Sequence, residues 1–149
     1  MPVLFELVTP ERLLISRDVE MVVVPGTEGN FGVLPGHAPL ISTIRPGTID
    51  IYEGREVTER IFVAGGIAEV IPTRCTVLAD EAMPPASLDR AALEAELQEI
   101  EGNLPSLREQ VGHAAGTDRD RLASELRQRE RQQAVARAKL QALAEPASH

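Results

Sequence analysis

Tryptophan is absent from the chain, and only one tyrosine and three phenylalanines are present. A core must therefore be built from Val, Ile, Leu and Ala, and few rings remain to line a ligand pocket. Cys75 stands alone, so no internal disulfide can form and nothing asks for an oxidising compartment. Set between Arg74 and Thr76 in a strand-like run, that thiol reads as a small core residue. Positive charge is scarce: the formal net charge is −8, and Lys139 is the sole lysine. Nucleic-acid binding, which needs a basic face to release counterions, is disfavoured, as is simple adhesion to anionic lipid. No stretch approaches the roughly 18–20 apolar residues that cross a bilayer. The opening Met1-Pro2-Val3-Leu4-Phe5-Glu6 has neither a basic start nor a signal segment. A soluble, intracellular chain is expected, held at any membrane by another protein. Its 149 residues suffice for one compact domain plus an appendage.

Catalytic and ligand signatures are lacking too. Gly26, Gly29, Gly32 and Gly36 are not followed by the Gly-Lys-Ser/Thr of a phosphate loop, nor do they fit a dinucleotide fingerprint. They read as tight turns between short strands. His37, His113 and His149 lie far apart without His or Cys partners at ligand spacing, so no metal site is expected. His37, in Pro-Gly-His-Ala-Pro, is expected to hydrogen-bond within its own turn. No nucleophile presents itself for a general base, and no paired-carboxylate motif with aromatic subsites supports a hydrolase. The chain is read as non-catalytic, with no cofactor.

What is present changes character at Met83-Pro84-Pro85. Before it, β-branched runs alternate with Gly and Pro: 3–8, 19–24, 49–52, 61–64, 67–71 and 75–78. Many short strands without helical period indicate an all-β sandwich or barrel. Val19, Met21 and Val23 alternate with Asp18 and Glu20, which predicts a strand with those three on its dry face. After Pro85 the pattern is helical. Ser87 is the expected cap, followed by Leu93, Leu97, Ile100 and Leu104, with Gly102 and Pro105 predicted to end the helix. A long turn is expected over 102–117, with a short helical piece near 106–111. Thr117 then caps a second helix that stops before Pro146. That helix is apolar at its ends (Leu122, Leu126, Leu140, Leu143) and polar from Arg127 to Gln133. Acids dominate 87–101 and bases dominate 118–144, which predicts an antiparallel hairpin, favoured but not locked by exposed pairs. The expected organisation is a β body over 1–85 and a helical hairpin over 86–149.

The run Val22-Val-Val-Pro-Gly-Thr-Glu-Gly-Asn-Phe-Gly-Val-Leu-Pro-Gly-His-Ala-Pro39 resembles the signature of the epsilon subunits of bacterial and chloroplast F-type ATP synthases (delta in mitochondria). The resemblance continues through Leu40–Ser42, Ile44–Gly47, Phe62–Val70 and Val77–Ala82, in unbroken order. It implies a flattened ten-stranded β-sandwich followed by two helices. The function implied is that of a non-catalytic rotor part coupling c-ring rotation to ATP synthesis through gamma. Its partners would be the gamma subunit and the c-ring, with alpha and beta subunits met through the C-terminal helices, and no membrane insertion.

Positions matching Glu28, Gly29, Asn30, Phe31 and His37 lie at the ring contact in relatives, and Asn30 stands where some carry an acid. In many relatives the hairpin switches between a compact form and an extended form that blocks ATP hydrolysis; a permanently docked hairpin stands beside that reading. Some bacterial members bind ATP through Ile/Leu-Asp-x-x-Arg-Ala. Here Leu88-Asp89 is followed by Arg90-Ala91-Ala92, which leaves Asp89 as the ATP-sensing candidate. The implied location is peripheral, on the cytoplasmic face of a bacterial inner membrane; an immediate first strand favours bacterium over organelle. The alternative is a stand-alone β-sandwich binding module with a helical oligomerisation hairpin.

Overall fold

A computed structural model describes residues 2–144. Contacts divide the chain into one compact unit ending at Ser87 and a second spanning Leu88–Leu143. The first unit holds ten strands: β1 (Val3–Val8), β2 (Leu13–Val19), β3 (Met21–Gly26), β4 (Gly29–Val33), β5 (Leu40–Ile44), β6 (Gly47–Glu53), β7 (Glu56–Val63), β8 (Gly66–Ile71), β9 (Arg74–Ala79) and β10 (Ala82–Met83). Their order is β10-β7-β6-β3-β5-β8-β9-β1-β2, with β4 paired to β3.

The β3–β5 junction is a single pair, Gly26 with Ile44, and there the sheet turns back on itself. Two layers result, β10-β7-β6-β3-β4 and β5-β8-β9-β1-β2, with β2 brought up against β6. Gly26 is required at the fold: an added Cβ would lie 2.8 Å from the Gly29 carbonyl oxygen and 2.9 Å from the Phe31 ring.

Alternation along the strands supplies the core from both layers. Val3, Phe5 and Leu7 of β1, Ile49 and Ile51 of β6, and Cys75 and Val77 of β9 are all fully buried. β3 has the opposite phase to the expected one. Val22 and Val24 are buried, whereas Met21 and Val23 are only partly so. Val19 is buried, but it ends β2, and a bend at Glu20 separates the two strands. That bend resets the period, and the continuous apolar run Met21–Val24 does not reveal which side faces in.

The second unit is an antiparallel pair, α1 (Arg90–His113) and α2 (Gly116–Ala144). Asp89, not Ser87, caps α1: its carboxylate accepts a hydrogen bond from the Ala92 amide at 3.3 Å. Ser87 instead closes a short 3₁₀ turn, its hydroxyl donating to the Pro84 carbonyl. The long turn expected over 102–117 is not formed. α1 continues through Gly102 and Pro105, and only Ala114 and Ala115 separate the helices. Proline costs a helix interior about 3 kcal/mol. Here Ile100, Leu104 and Leu107 bracket Pro105 as buried residues, and their packing offsets that cost. Thr117 lies inside the first turn of α2, which opens at Gly116 with φ +64°. Pro146 falls outside the described residues.

Candidate interaction surfaces

Strand register determines which side chains share the outer face of the second layer. Across it, Thr43 pairs with Ile67, Ile67 with Leu78, Leu78 with Val8, and Val8 with Leu13. Directly opposed residues point to the same side. Ile67, Leu78 and Leu13 are 45%, 52% and 53% exposed and Val8 is half-buried, so an apolar row crosses β8, β9, β1 and β2. The neighbouring row is Ile41, Glu69, Thr76, Glu6 and Ser16, of which Ile41 is 74% exposed. Glu6 accepts a hydrogen bond from the Thr76 hydroxyl at 3.3 Å and faces Arg74 at 3.7 Å. An ordered apolar row edged by carboxylates is a surface built for a protein partner.

A second surface lies at one end of the sandwich. The β3–β4 hairpin tip, Thr27-Glu28, runs alongside β5 toward its Leu40 end, into which the loop 34–39 feeds. Thr27 to Phe31 and Leu40 to Thr43 line an open groove of about 510 Å³. The tip is stapled in place. The Thr27 amide donates to the Thr43 carbonyl at 3.0 Å, the two threonine hydroxyls meet at 2.9 Å, and the Arg45 amide donates to Pro25 at 2.9 Å. The Arg45 guanidinium donates to the Gly26 carbonyl and to Asn30 Oδ1.

Of the residues singled out from sequence, Glu28 is exposed at the tip, while Gly29, Asn30 and Phe31 belong to β4 and are not loop. Asn30 has an internal partner, Arg45, which a neutral amide oxygen serves. His37 sits in the 34–39 loop, half-buried and outside the groove lining. Its amide donates to Leu34 at 3.1 Å and its Nδ1 to the Ala38 carbonyl at 2.7 Å. The Gly36 amide donates to the Pro72 carbonyl at 2.7 Å, tying that loop to the β8–β9 turn. Sequence reading missed Ile41, Ile67, Leu78 and Leu13; large aliphatics at outward phase in β-branched runs were the available signal.

The remaining chemistry is structural. Cys75 is buried among aliphatics, and burial pushes its thiol up to about 12, so thiolate chemistry is suppressed. In the second unit, Glu101 accepts from Arg137 and, at 3.0 Å, from Gln133, which holds its carboxyl below the usual range. Arg108 meets Glu130 at 3.3 Å. Asp89 is engaged as a helix cap. Among the described residues no helix is long and apolar enough to cross a membrane.

Comparison with known proteins bears on the fold and the family. The family model described as ATP synthase, Delta/Epsilon chain, beta-sandwich domain matches residues 3–85. An ATP synthase epsilon chain of Rhodospirillum rubrum is 63% identical over 100 residues, covering 67% of this chain and 75% of that one. One from Rhodospirillum centenum is 54% identical over 125 residues, covering 83% and 82%. The fold is similar to a chain in the Euglena gracilis mitochondrial ATP synthase structure containing OSCP, F1 and the c-ring. That match has a TM-score of 0.70 and 22% identity, covering 95% of this chain and 81% of that one. A chain of the Tetrahymena thermophila central stalk and c-ring matches with a TM-score of 0.50 and 15% identity, covering 58% and 69%. With residues 3–85 matched by the family model and relatives 63% and 54% identical over 100 and 125 residues, the chain belongs to the ATP synthase delta/epsilon chain family.

Proposed function

We propose that this chain is a non-catalytic rotor subunit of the ATP synthase central stalk, seated between the gamma subunit and the c-ring. The observation that carries the reading is the apolar row of exposed Ile67, Leu78 and Leu13 with half-buried Val8 between them, on a body tied by strand ladders. A coupling element must grip its partner and resist shear. Apolar area provides the grip, and a hydrogen-bonded sandwich core resists deformation.

In this reading the β body over 1–85 does the coupling. Its outer face of β5, β8, β9, β1 and β2 meets gamma. The stapled end bearing Glu28, Gly29, Asn30, Phe31 and His37 meets the polar loops of the ring. The hairpin over 86–149 is the regulatory candidate, reaching alpha and beta subunits when it restrains ATP hydrolysis. The location that follows is peripheral, on the cytoplasmic face of a bacterial inner membrane. ATP sensing through Asp89 would require its carboxylate to serve a nucleotide as well as the α1 amide. Calorimetry at millimolar ATP that gives no heat of binding ends that part.

The test mixes the purified chain with a gamma-containing ATPase core. Stoichiometric binding is expected, weakened at least tenfold by Leu78→Glu with Ile67→Glu, since a charge forced into a dry contact costs well over 1.4 kcal/mol. Absence of association overturns the rotor reading. ATPase activity unchanged by truncation after Ala86 removes the inhibitory role alone.

A further inference from the structure

The sheet is an open path whose two ends, β2 and β10, do not pair with each other. β10 covers β7 only at Phe62 and Val63, so among the described residues the edge of β7 from Glu56 to Ile61 has no neighbouring strand on that side. The outer edge of β2 is likewise unpaired in the sheet order. Between these edges lies an apolar recess of about 250 Å³, whose lining includes Leu7, Leu14, Ile15 and Ile61. At the β3–β5 junction the two layers are joined by strand pairing; here they are not.

Two charged residues occupy this seam at positions where register calls for apolar ones. Arg17 is paired with the buried Phe5, and Glu59 with the buried Ile51, so both project from the inward phase of their strands. They meet each other as an ion pair, with side chains 45% and 40% exposed. Inward-pointing charge on an edge strand also discourages pairing with foreign strands.

We propose that Arg17 and Glu59 form a clasp across a line where the facing edges of β2 and β7 share no strand pairing, and that its release opens the seam into the apolar interior. Opening uncovers Leu14, Ile15 and Ile61, and frees β2 from β7 while leaving the β8–β9–β1 ladder intact. The clasp is independent of any partner, so its failure would leave the rotor reading untouched.

The test is amide hydrogen exchange on the full chain in low salt. Glu59→Ala and Arg17→Ala are each expected to raise exchange roughly threefold to fivefold in 13–16 and 57–61, the scale of a lost exposed pair. Amides of β8 and β9 should be unchanged. The double variant Arg17→Met with Glu59→Leu fills both inward positions with apolar groups. It should restore protection and show none of the dependence on added salt expected of the wild type. Single variants that exchange like the wild type overturn the clasp. So does faster exchange spread evenly over β8 and β9, or a double variant that remains as open as the singles.

Discussion

The sandwich and the hairpin are held together by different means. In the sandwich, a core of fully buried aliphatics and Phe5 is drawn from strands far apart in the chain. In the hairpin, α1 contributes Leu93, Ile100, Leu104 and Leu107, but α2 buries only Ala136 and Ala142. Contacts between the helices are completed by exposed polar pairs such as Glu101 with Arg137 and Arg108 with Glu130. Exposed pairs are worth about 0–1 kcal/mol each. The body's cohesion therefore rests on buried apolar area, and the hairpin's rests in larger part on exposed polar pairs.

Phe5→Ala gives the strongest challenge to that contrast. A fully buried ring replaced by a methyl should cost about 3–5 kcal/mol, read from chemical denaturation of the β signal. Next comes Gly66→Ala, where φ is +147° and an added Cβ would overlap the Leu78 carbonyl oxygen of the paired strand. A loss of about 2–3 kcal/mol is expected, with exchange concentrated in β8 and β9. In the hairpin, Leu104→Ala should cost about 2 kcal/mol and lower the helical signal while the β transition stays in place; a shift of both together would merge the two regions into one cooperative block.

Pro105→Ala sharpens the comparison in the other direction. It restores an amide inside α1, and a gain of about 1–3 kcal/mol in hairpin stability is expected by thermal melting. Acid gives the smallest effect. The Glu101 carboxyl is depressed in the folded hairpin, so its contribution is complete above the unfolded carboxylate pKa. It is lost as pH falls through the lower folded value. A small decline in helix pairing on acidification should appear in the wild type and vanish in Glu101→Gln.

Much of the body could be read from residues alone. Val3, Phe5 and Leu7 alternate with Leu4 and Glu6 clearly enough to orient β1. β4 was hidden because Gly29 and Gly32 look like punctuation, though they pair with Gly26 and Val23 in the β3 ladder. α1 was cut short because proline's cost is local and visible, whereas its compensation comes from tertiary packing. The ring-contact candidates followed from a contiguous motif. The apolar row did not, since Leu13 joins the β8–β9 pair of Ile67 and Leu78 only once β1 has paired with both β2 and β9.

That parallel pairing of β1 with β9 has a consequence for how the chain is made. Val3–Val8 must bond to Arg74–Ala79, so β1 finds its inner neighbour only after some seventy further residues have been synthesised. Until then it has only the β2 hairpin for company. Closure of that layer thus waits on translation as far as β9.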